Sequence, residues 1–276
     1  MTHAKHSLGQ NFLIDRDVLA KIISASNLTP NDNIVEIGPG RGILTAALLE
    51  KAASVTAIEL DSDLLPDLQN RFRPYKNFKL IHGNALAFVP PQNPYKLIAN
   101  IPYYITSPIL NHFLFEQFLQ KNQNPQTGNP PTTLVLMMQR EVAEKIMAKK
   151  EKHSVLSLEV HMFGKPEIIA FVPRQAFFPS PKVESAIIRI TTHEKPQISG
   201  DLKKIMWLFH ISFAQKRKKL CNNLAAALRR EPSEIKTLLK SLNINEDIRA
   251  EDLTLEEWEK LNQLLNYSVH PAIGRK

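Results

Sequence analysis

Short apolar runs alternate along the chain with longer segments in which apolar residues recur every three or four positions. The runs are typical of buried strands and the longer segments of amphipathic helices. Strands are predicted over 33–37, 54–60, 78–82, 96–99, 134–138, 167–172 and 185–191. Helices are predicted over 43–51, 64–72 and 108–119, and from Arg140. Because the last two strands have no long helix between them, we expect an α/β fold whose mostly parallel sheet ends in antiparallel strands.

The pattern changes after Thr191. Residues 192–201 have the polar composition of a linker. Helical spacing then returns over 202–213 and 217–230, after Pro232, and behind Thr254, which starts a capping-box pattern with Glu257. The chain is therefore divided into three predicted parts: a domain over 1–191, a linker over 192–201 and a small all-helical domain over 202–276.

Composition excludes several classes of protein. The chain has 276 residues, 43% of them hydrophobic, and one cysteine, Cys221, so disorder and a disulfide scaffold are excluded. The N-terminus lacks the apolar region of a signal peptide, and no apolar run approaches the roughly 20 residues that span a bilayer. We expect a soluble, cytoplasmic protein without a membrane partner. No metal site is predicted.

The positive charge is unevenly distributed. The formal net charge is +8, yet residues 1–120 are neutral, whereas 121–200 and 201–276 each carry +4. A basic half beside a neutral half indicates that the later part binds a polyanion, with nucleic acid favoured over an acidic small molecule. Charge that only keeps the protein soluble is the alternative.

A glycine-rich segment follows the first predicted strand. It runs Glu36-Ile-Gly38-Pro-Gly40-Arg-Gly42, and Glu59 ends the next strand. Glycine permits a tight turn and a close backbone approach at the carboxyl end of a strand, where ligands of open α/β sheets bind. Glu59 is placed to accept hydrogen bonds from ribose hydroxyls. The spacing is G-x-G-x-G instead of the dinucleotide pattern G-x-G-x-x-G, which favours a methyl donor over a nicotinamide.

A second polar segment, Asn100-Ile101-Pro102-Tyr103, directly follows the fourth strand and should face the same crevice. The amino nitrogen of adenine is a poor nucleophile, and the Asn100 side-chain oxygen and the Ile101 carbonyl could favour its reactive pyramidal form. Pro102 restricts Ile101, and the Tyr103 ring can stack on a base. Phe177 is a candidate second wall, or else a core aromatic. The target adenine must be flipped or single-stranded.

The motifs together identify a family. Ser7–Leu13, Val35–Gly42, Asn100–Tyr103, Phe177–Val183 and Phe213–Leu224 occur in an order that resembles the small-subunit (16S) ribosomal RNA adenine dimethyltransferases. The resemblance implies a Rossmann-like methyltransferase sheet and S-adenosylmethionine as the cofactor. It implies four methyl transfers to the N6 atoms of two adjacent adenines in the 3′-terminal hairpin of 16S rRNA, within the assembling small ribosomal subunit.

The resemblance also implies roles for single residues. Asn11 and Leu13 would lie over the donor, Gly38 would line its loop and Glu59 would bind its ribose. Asn84 would meet the donor adenine, although this family usually has Asp there and Asn is also a common turn residue. Asn100 would contact both the donor and the target amine. Four basic residues at a predicted helix start are expected to contact RNA phosphates, with a solvated helix face as the alternative: Lys216, Arg217, Lys218 and Lys219.

Other functions remain open at this point. A large-subunit rRNA adenine dimethyltransferase of the macrolide-resistance type shares most of the motifs, but the lead-in Ser7–Gln10 and the segment Lys216–Leu224 favour the small-subunit enzyme. A ribosome-assembly or transcription factor could keep the fold without the chemistry, although the intact motifs argue against lost activity. A nicotinamide enzyme is a further alternative. We expect a monomer.

Overall fold

The computed structural model describes residue 5 and residues 9–124, 126–148 and 152–265. Two parts of the predictions lie outside the described residues. These are Ser7 and Leu8 of the N-terminal motif, and residues 266–276 at the end of the predicted helical domain.

The chain forms two compact units. One contains the residues up to Glu144 together with Gly164–His193, and the other contains Lys145–Phe163 and the residues from Glu194 onward. This division differs from the predicted one, because a segment that precedes the last two strands of the sheet belongs to the second unit. The predicted linker is also largely part of that unit. The backbone N–H of Gln197 donates to the carbonyl of Met162 at 2.8 Å, and Ile198 is buried.

Nine strands are present. Their bounds are β1 (Phe12–Leu13), β2 (Asn33–Ile37), β3 (Ser54–Glu59), β4 (Phe78–His82), β5 (Lys96–Asn100), β6 (Thr133–Gln139), β7 (Gly164–Val172), β8 (Phe177–Phe178) and β9 (Ser185–Thr192) among the described residues. Seven of them form one sheet in the order β4-β3-β2-β5-β6-β9-β7. The first five of these are parallel, and β9 pairs antiparallel with both β6 and β7. The predicted parallel sheet with an antiparallel end is confirmed.

Helices fill the connections. Their bounds are α1 (Arg16–Ala25), α2 (Ile43–Leu49), α3 (Leu65–Phe72), α4 (Thr106–Leu110), α5 (Glu116–Gln123), α6 (Arg140–Ile146), α7 (Val155–Phe163), α8 (Leu202–Ser212), α9 (Leu220–Leu228), α10 (Pro232–Ser241) and α11 (Leu255–Leu264). A π-helical turn over Asn111–Phe115 joins α4 to α5. No helix in the described part of the chain combines the length and hydropathy that crossing a bilayer requires.

The seven predicted strands are all observed, with ends within three residues of the predicted ones. The sequence patterns did not predict three features of the fold. Helix α1 has a visible start signal, because Asp15 accepts hydrogen bonds from the backbone N–H groups of Asp17 and Val18. Helix α7 is buried on most sides, so its sequence lacks the amphipathic pattern. The strands β1 and β8 have two residues each, too few for any periodicity.

The helices of the second unit correct one prediction. Helix α9 begins at Leu220, not at residue 217, so the basic run that precedes it lies in a turn. Lysine and arginine side chains are unfavourable at a helix N-terminus, where the helix dipole is positive. The capping box at the start of α11 is confirmed: Thr254 Oγ1 accepts from the Glu257 backbone, and the Glu257 side chain accepts from the Thr254 backbone at 2.8 Å.

The sheet order fixes where a ligand can bind. Strand β2 pairs with β3 on one side and with β5 on the other, so the chain connections leave β2 and β5 in opposite directions. Such a switch point opens a crevice at the carboxyl ends of the strands. The glycine-rich segment follows β2, Glu59 ends β3 and Asn100 ends β5. All three predicted motifs therefore meet at this edge of the sheet.

Candidate active site

A cavity of about 310 Å³ lies at the carboxyl ends of β2, β3 and β5. Its size suits a small-molecule or cofactor site. It brings together every residue predicted to bind the donor or to take part in the chemistry, namely Asn11, Leu13, Gly38, Glu59, Asn84, Asn100, Ile101, Pro102, Tyr103 and Phe177. The predicted RNA-contacting residues belong to the second unit and do not line it.

The glycine-rich loop forms one wall of the cavity. Gly40 has φ +56°, and a Cβ atom at this position would lie 3.1 Å from the Phe12 ring. Gly42, the N-cap of α2, has φ +77°, and a Cβ there would lie 2.6 Å from the Phe72 ring. Both positions need the left-handed conformation and the missing side chain of glycine. The loop therefore presents bare backbone that a ligand can approach closely.

Glu59 presents a carboxylate that is already held by the backbone. Its Oε1 accepts the N–H of Asp61 at 2.8 Å and its Oε2 accepts the N–H of Gly40 at 3.2 Å. Burial raises the pKa of Glu59, and these backbone hydrogen bonds oppose the rise. A carboxylate has about four lone-pair directions, so the Glu59 side chain can accept a further donor. Two adjacent hydroxyls, such as those of a ribose, fit this arrangement.

Asn84 has a structural task in addition to its predicted one. It is the N-cap of a 3₁₀ turn over Ala85–Ala87, and its Oδ1 accepts the backbone N–H of Leu86 at 2.9 Å. The side-chain NH₂ is the group that this bond leaves uncommitted. An Asp at this position would cap the turn with one oxygen and offer a second oxygen as an acceptor. The amide therefore presents a donor where the carboxylate of the family pattern would present an acceptor.

The N-terminal segment, residues 9–13, lines the cavity and is fixed at several points. Strand β1 pairs antiparallel with β8, which places Leu13 opposite Phe177. The Asn100 side-chain NH₂ donates to the Asn11 carbonyl at 3.3 Å. Two further residues, which the sequence patterns did not indicate, hold this segment to the turn after β3. Lys5 Nζ and the Gln10 side-chain NH₂ donate to the two oxygens of the buried Asp61 carboxylate at 2.6 and 2.7 Å.

These contacts change the acidity of Asp61. Burial alone favours the neutral form of its carboxyl, but the hydrogen bonds from Lys5 and Gln10 outweigh that effect, so the pKa of Asp61 lies below its ordinary value. Asp61 is therefore a charged anchor for the N-terminal segment. Because Asp61 also donates its backbone N–H to Glu59, the same turn supports both the segment and the candidate ribose site.

The loop after β5 leaves two oxygens available. The bond to the Asn11 carbonyl orients the Asn100 amide so that its Oδ1 is the free acceptor. The carbonyls of Pro102 and Tyr103 accept from the Ile105 N–H and the Thr106 hydroxyl, both at 3.1 Å. Among the described residues, no such donor meets the carbonyl of Ile101. The two acceptors that the sequence singled out are therefore those that the fold leaves unpaired.

The aromatic residues of the site differ in burial. The Tyr103 ring is half-buried, and its hydroxyl shares a hydrogen bond of 2.6 Å with the hydroxyl of Ser185 on β9. Burial raises the pKa of Tyr103, so the hydroxyl stays neutral at physiological pH. Phe177 is only 3% exposed and packs in the hydrophobic core while also lining the cavity. Both interpretations of Phe177, a core aromatic and a wall of the site, match its surroundings.

The site contains no cluster typical of a metal centre. Within the described ranges, no group of three or more His, Cys, Asp or Glu residues could hold a metal ion. The polar atoms of the cavity described above are amides, backbone groups and one carboxylate. Such a set suits the binding of a nucleoside-type cofactor and the orientation of a second reactant.

The four basic residues before α9 are all exposed. Two of them have acidic neighbours: Lys219 forms an ion pair with Asp247 at 2.7 Å, and Lys216 lies 3.8 Å from Glu251. The chain just before them is held by the buried Asn223, whose side-chain NH₂ donates to the carbonyls of Ser212 and Gln215. The basic run is thus a fixed turn with solvent-facing cations, not the first turn of a helix.

Comparison with known proteins identifies the family. The model of the ribosomal RNA adenine dimethylase family matches residues 1–267. The chain belongs to this family. Ribosomal RNA small subunit methyltransferase A of Dehalococcoides mccartyi is 40% identical over 98% of this chain and 90% of its own length. The protein of the same name from Lactococcus lactis is 39% identical over 95% of this chain and 90% of its own length.

Solved structures support the same family. A dimethyladenosine transferase from Plasmodium falciparum is 27% identical, with a TM-score of 0.75 over 91% of this chain and 95% of that one. The 23S rRNA methyltransferase ErmE is 26% identical, with a TM-score of 0.72 over 92% and 98% of the two chains. The predicted Rossmann-like methyltransferase fold is confirmed, and so is the prediction of an rRNA adenine dimethyltransferase.

Proposed function

We propose that this member of the rRNA adenine dimethylase family uses S-adenosylmethionine to dimethylate the N6 atoms of two adjacent adenines in the 3′-terminal hairpin of 16S rRNA. The observation that carries the proposal is the cavity in which Glu59, the glycine-rich loop and two unpaired acceptors after β5 converge. The greater identity to proteins named small subunit methyltransferases than to ErmE supports the small subunit as the target.

The residues of the cavity fit the donor. Glu59 can accept ribose hydroxyls, because carboxylate oxygens can accept further hydrogen bonds beside the backbone N–H groups that already meet them. The bare backbone at Gly38 and Gly40 allows the donor to lie close to the loop, and Asn11 and Leu13 cover it from the other side. Asn84 lies at the end of β4, where it can meet the adenine ring. When bound, S-adenosylmethionine supplies a methyl group attached to a positively charged sulfur.

Asn100 and Ile101 would prepare the target amine. The lone pair of the adenine amino nitrogen is delocalised into the ring, so it attacks only when the nitrogen becomes pyramidal. Hydrogen bonds from its two N–H groups to Asn100 Oδ1 and the Ile101 carbonyl favour that geometry. Because both acceptors are fixed by the loop and by the Asn11 carbonyl, they act mainly by orientation. The nitrogen forms the new bond to carbon as the bond between carbon and sulfur breaks.

No strong base is needed to complete the step. The methylated amine is positively charged and acidic, and it can pass a proton to water. The neutral Tyr103 hydroxyl is engaged by Ser185, so Tyr103 serves as a stacking surface and not as a proton acceptor. Stacking of a base on an aromatic ring contributes about 1–3 kcal/mol. Phe177, which also lines the cavity, offers a second contact for the flipped adenine.

The basic turn Lys216–Lys219 would bind the RNA backbone of the assembling small subunit. Contacts between lysine or arginine and phosphate position an RNA without reading its sequence, and they make binding sensitive to salt. The positive charge that accumulates after residue 120 supports this role. We also propose that the protein acts as a monomer in the cytoplasm.

Transfer of a labelled methyl group tests the proposal. The full chain is incubated with radiolabelled S-adenosylmethionine and with 30S or 50S particles from strains that lack the corresponding methylation, and the rRNA is digested to nucleosides. We expect dimethyladenosine from the 30S particles only, and four methyl groups per particle. Label confined to 50S particles would assign the chain to the macrolide-resistance type. No transfer to either, with particle binding intact, would favour an assembly factor without chemistry.

A further inference from the structure

An exposed aromatic side chain stands at the edge of the cavity and has no role in the proposed chemistry. Tyr104 directly follows Tyr103, and 61% of it is exposed although it lines the cavity. Tyr103 is half-buried and tied to Ser185. Two adjacent tyrosines therefore have opposite environments, one facing inwards and the other at the mouth.

The backbone fixes the position from which the Tyr104 ring extends. Tyr103–Ile105 form a 3₁₀ turn that is closed by the Ile105 N–H to the Pro102 carbonyl at 3.1 Å. In such a turn successive side chains point about 120° apart, which separates the directions of the two rings. The buried Thr106 anchors the end of the turn through its hydroxyl. The ring is thus presented by a rigid support.

The N-terminal segment leaves room for this ring. Gly9 has φ +63°, and a Cβ atom there would lie 3.3 Å from Cε1 of Tyr104. A larger residue at this point would press on the edge of the ring. At Gly9 the chain therefore approaches the edge of the Tyr104 ring, and 61% of the side chain is exposed.

We propose that Tyr104 is a substrate-positioning residue that stacks on the base next to the target adenine. This inference rests on the proposed function. When the target base enters the cavity, its covalent neighbour in the RNA must remain at the mouth, where the exposed ring of Tyr104 lies. An aromatic ring can stack on any base, and such stacking helps to bind a strand whose bases are unpaired. The two target adenines are adjacent. While the first of them is methylated, the second is therefore the base that stacks on Tyr104.

Steady-state kinetics on undermethylated 30S particles test the role of Tyr104. We expect Tyr104→Ala to raise KM for the particles roughly tenfold, and Tyr104→Phe to leave it within about twofold of the wild type, because the phenyl ring retains the stacking face. The Kd for S-adenosylmethionine should be unchanged in both variants. Tyr75→Ala is a control, since Tyr75 is also exposed but packs against Phe72 and does not line the cavity.

A second measurement separates stacking from a structural effect of the substitution. Particles are reconstituted with 16S rRNA whose 3′ hairpin contains an abasic nucleotide beside the target adenine. If Tyr104 stacks on that base, Tyr104→Ala and the wild type should have equal KM values on this RNA.

Three results would overturn the inference. They are an unchanged KM for Tyr104→Ala on normal particles, a tenfold difference that persists on the abasic RNA, or a loss seen only for Phe178→Ala, which removes the exposed ring that follows the cavity-lining Phe177. A wild type that methylates no adenine at all would instead reject the proposed function.

Discussion

The loop after β5 and the basic turn before α9 contribute to the proposed reaction in different ways. The Asn100 NH₂ and the Tyr103 hydroxyl of the loop have defined partners, and Ile101 is 2% exposed. The cations of the turn face solvent, and the side chain of Lys216 is 76% exposed. The loop therefore orients the target amine, whereas the turn supplies positive charge for binding RNA.

Because of this difference, substitutions in the two regions should change different kinetic constants. A fixed acceptor inside a cavity affects the transition state, and its loss should lower kcat. Solvent-facing cations act on the approach and retention of a polyanion, so their loss should raise KM and change the salt dependence. The predictions below test this division from the largest expected effect to the smallest.

Replacing Asn100 by Ala removes the orienting acceptor of the loop. We expect kcat for methyl transfer to fall at least about 100-fold, because a misplaced nucleophile loses much of the advantage of orientation. Binding of 30S particles should persist. Single-turnover methyl transfer and particle binding measure the two quantities. Turnover equal to that of the wild type would remove Asn100 from the mechanism, and Asn93→Ala, an exposed Asn outside the cavity, is the control.

Replacing the four residues Lys216–Lys219 by Ala removes four positive charges from an exposed turn, together with the ion pairs of Lys216 and Lys219. We expect KM for the particles to rise about tenfold near physiological salt, with kcat unchanged. The slope of log Kd against log salt should decrease by about three, because each phosphate contact contributes about 0.7–0.9. As a charge-matched control, Lys21, Lys51, Lys76 and Lys79 of the neutral half are replaced together. An equal effect of both variants would mean that net charge, and not this turn, matters.

Replacing Glu36 by Gln tests a buried carboxyl that differs from Glu59. Neither oxygen of Glu36 has a hydrogen-bond partner in the described structure, and burial raises its pKa to about 8, an effect that Thr45 opposes and the Glu59 charge reinforces. Between the ordinary pKa of 4.5 and about 8, the folded state binds one more proton than the unfolded state. The contribution of Glu36 to stability is therefore complete below pH 4.5 and decreases as the pH rises to 8.

We expect the free energy of unfolding of the wild type to lose about 1.4 kcal/mol per pH unit from this group over that range, and Glu36→Gln to lack this dependence. Urea unfolding at pH 5, 6, 7 and 8 measures the difference between the two proteins. Parallel pH profiles would show that Glu36 is ionised in the folded state. Glu50→Gln, on the surface, is the matched control.

Replacing Asn84 by Asp should give the smallest effect. The cap to Leu86 would be kept, and the second oxygen would replace a donor by an acceptor that can face the amino group of the donor adenine. We expect the Kd for S-adenosylmethionine to decrease about three- to tenfold, the contribution of one ordinary hydrogen bond of about 0.7–1.4 kcal/mol. Calorimetric titration measures it. Weaker binding in the Asp variant would indicate that the amide itself contacts the ring.

Much of the site could be predicted from the sequence because its motifs are local. Glu36–Gly42, Glu59 and Asn100–Tyr103 each follow a short apolar run, and parallel strands end at the same edge of a sheet. The positions of these motifs therefore followed from the order of strands. The pattern failed where a contact is distant along the chain: the anchoring of Lys5 by Asp61 and the bond between Tyr103 and Ser185.

The sequence by itself determined the family, the alternation of strands and helices, and the residue types that the chemistry requires. Periodicity and motif spacing record these features directly, since each depends on neighbours along the chain. Only the tertiary structure decided which carbonyl of the loop after β5 remains unpaired, which tyrosine faces the mouth of the cavity, and that the basic run is a turn. These outcomes depend on hydrogen bonds and burial among residues far apart in sequence, which no local pattern encodes.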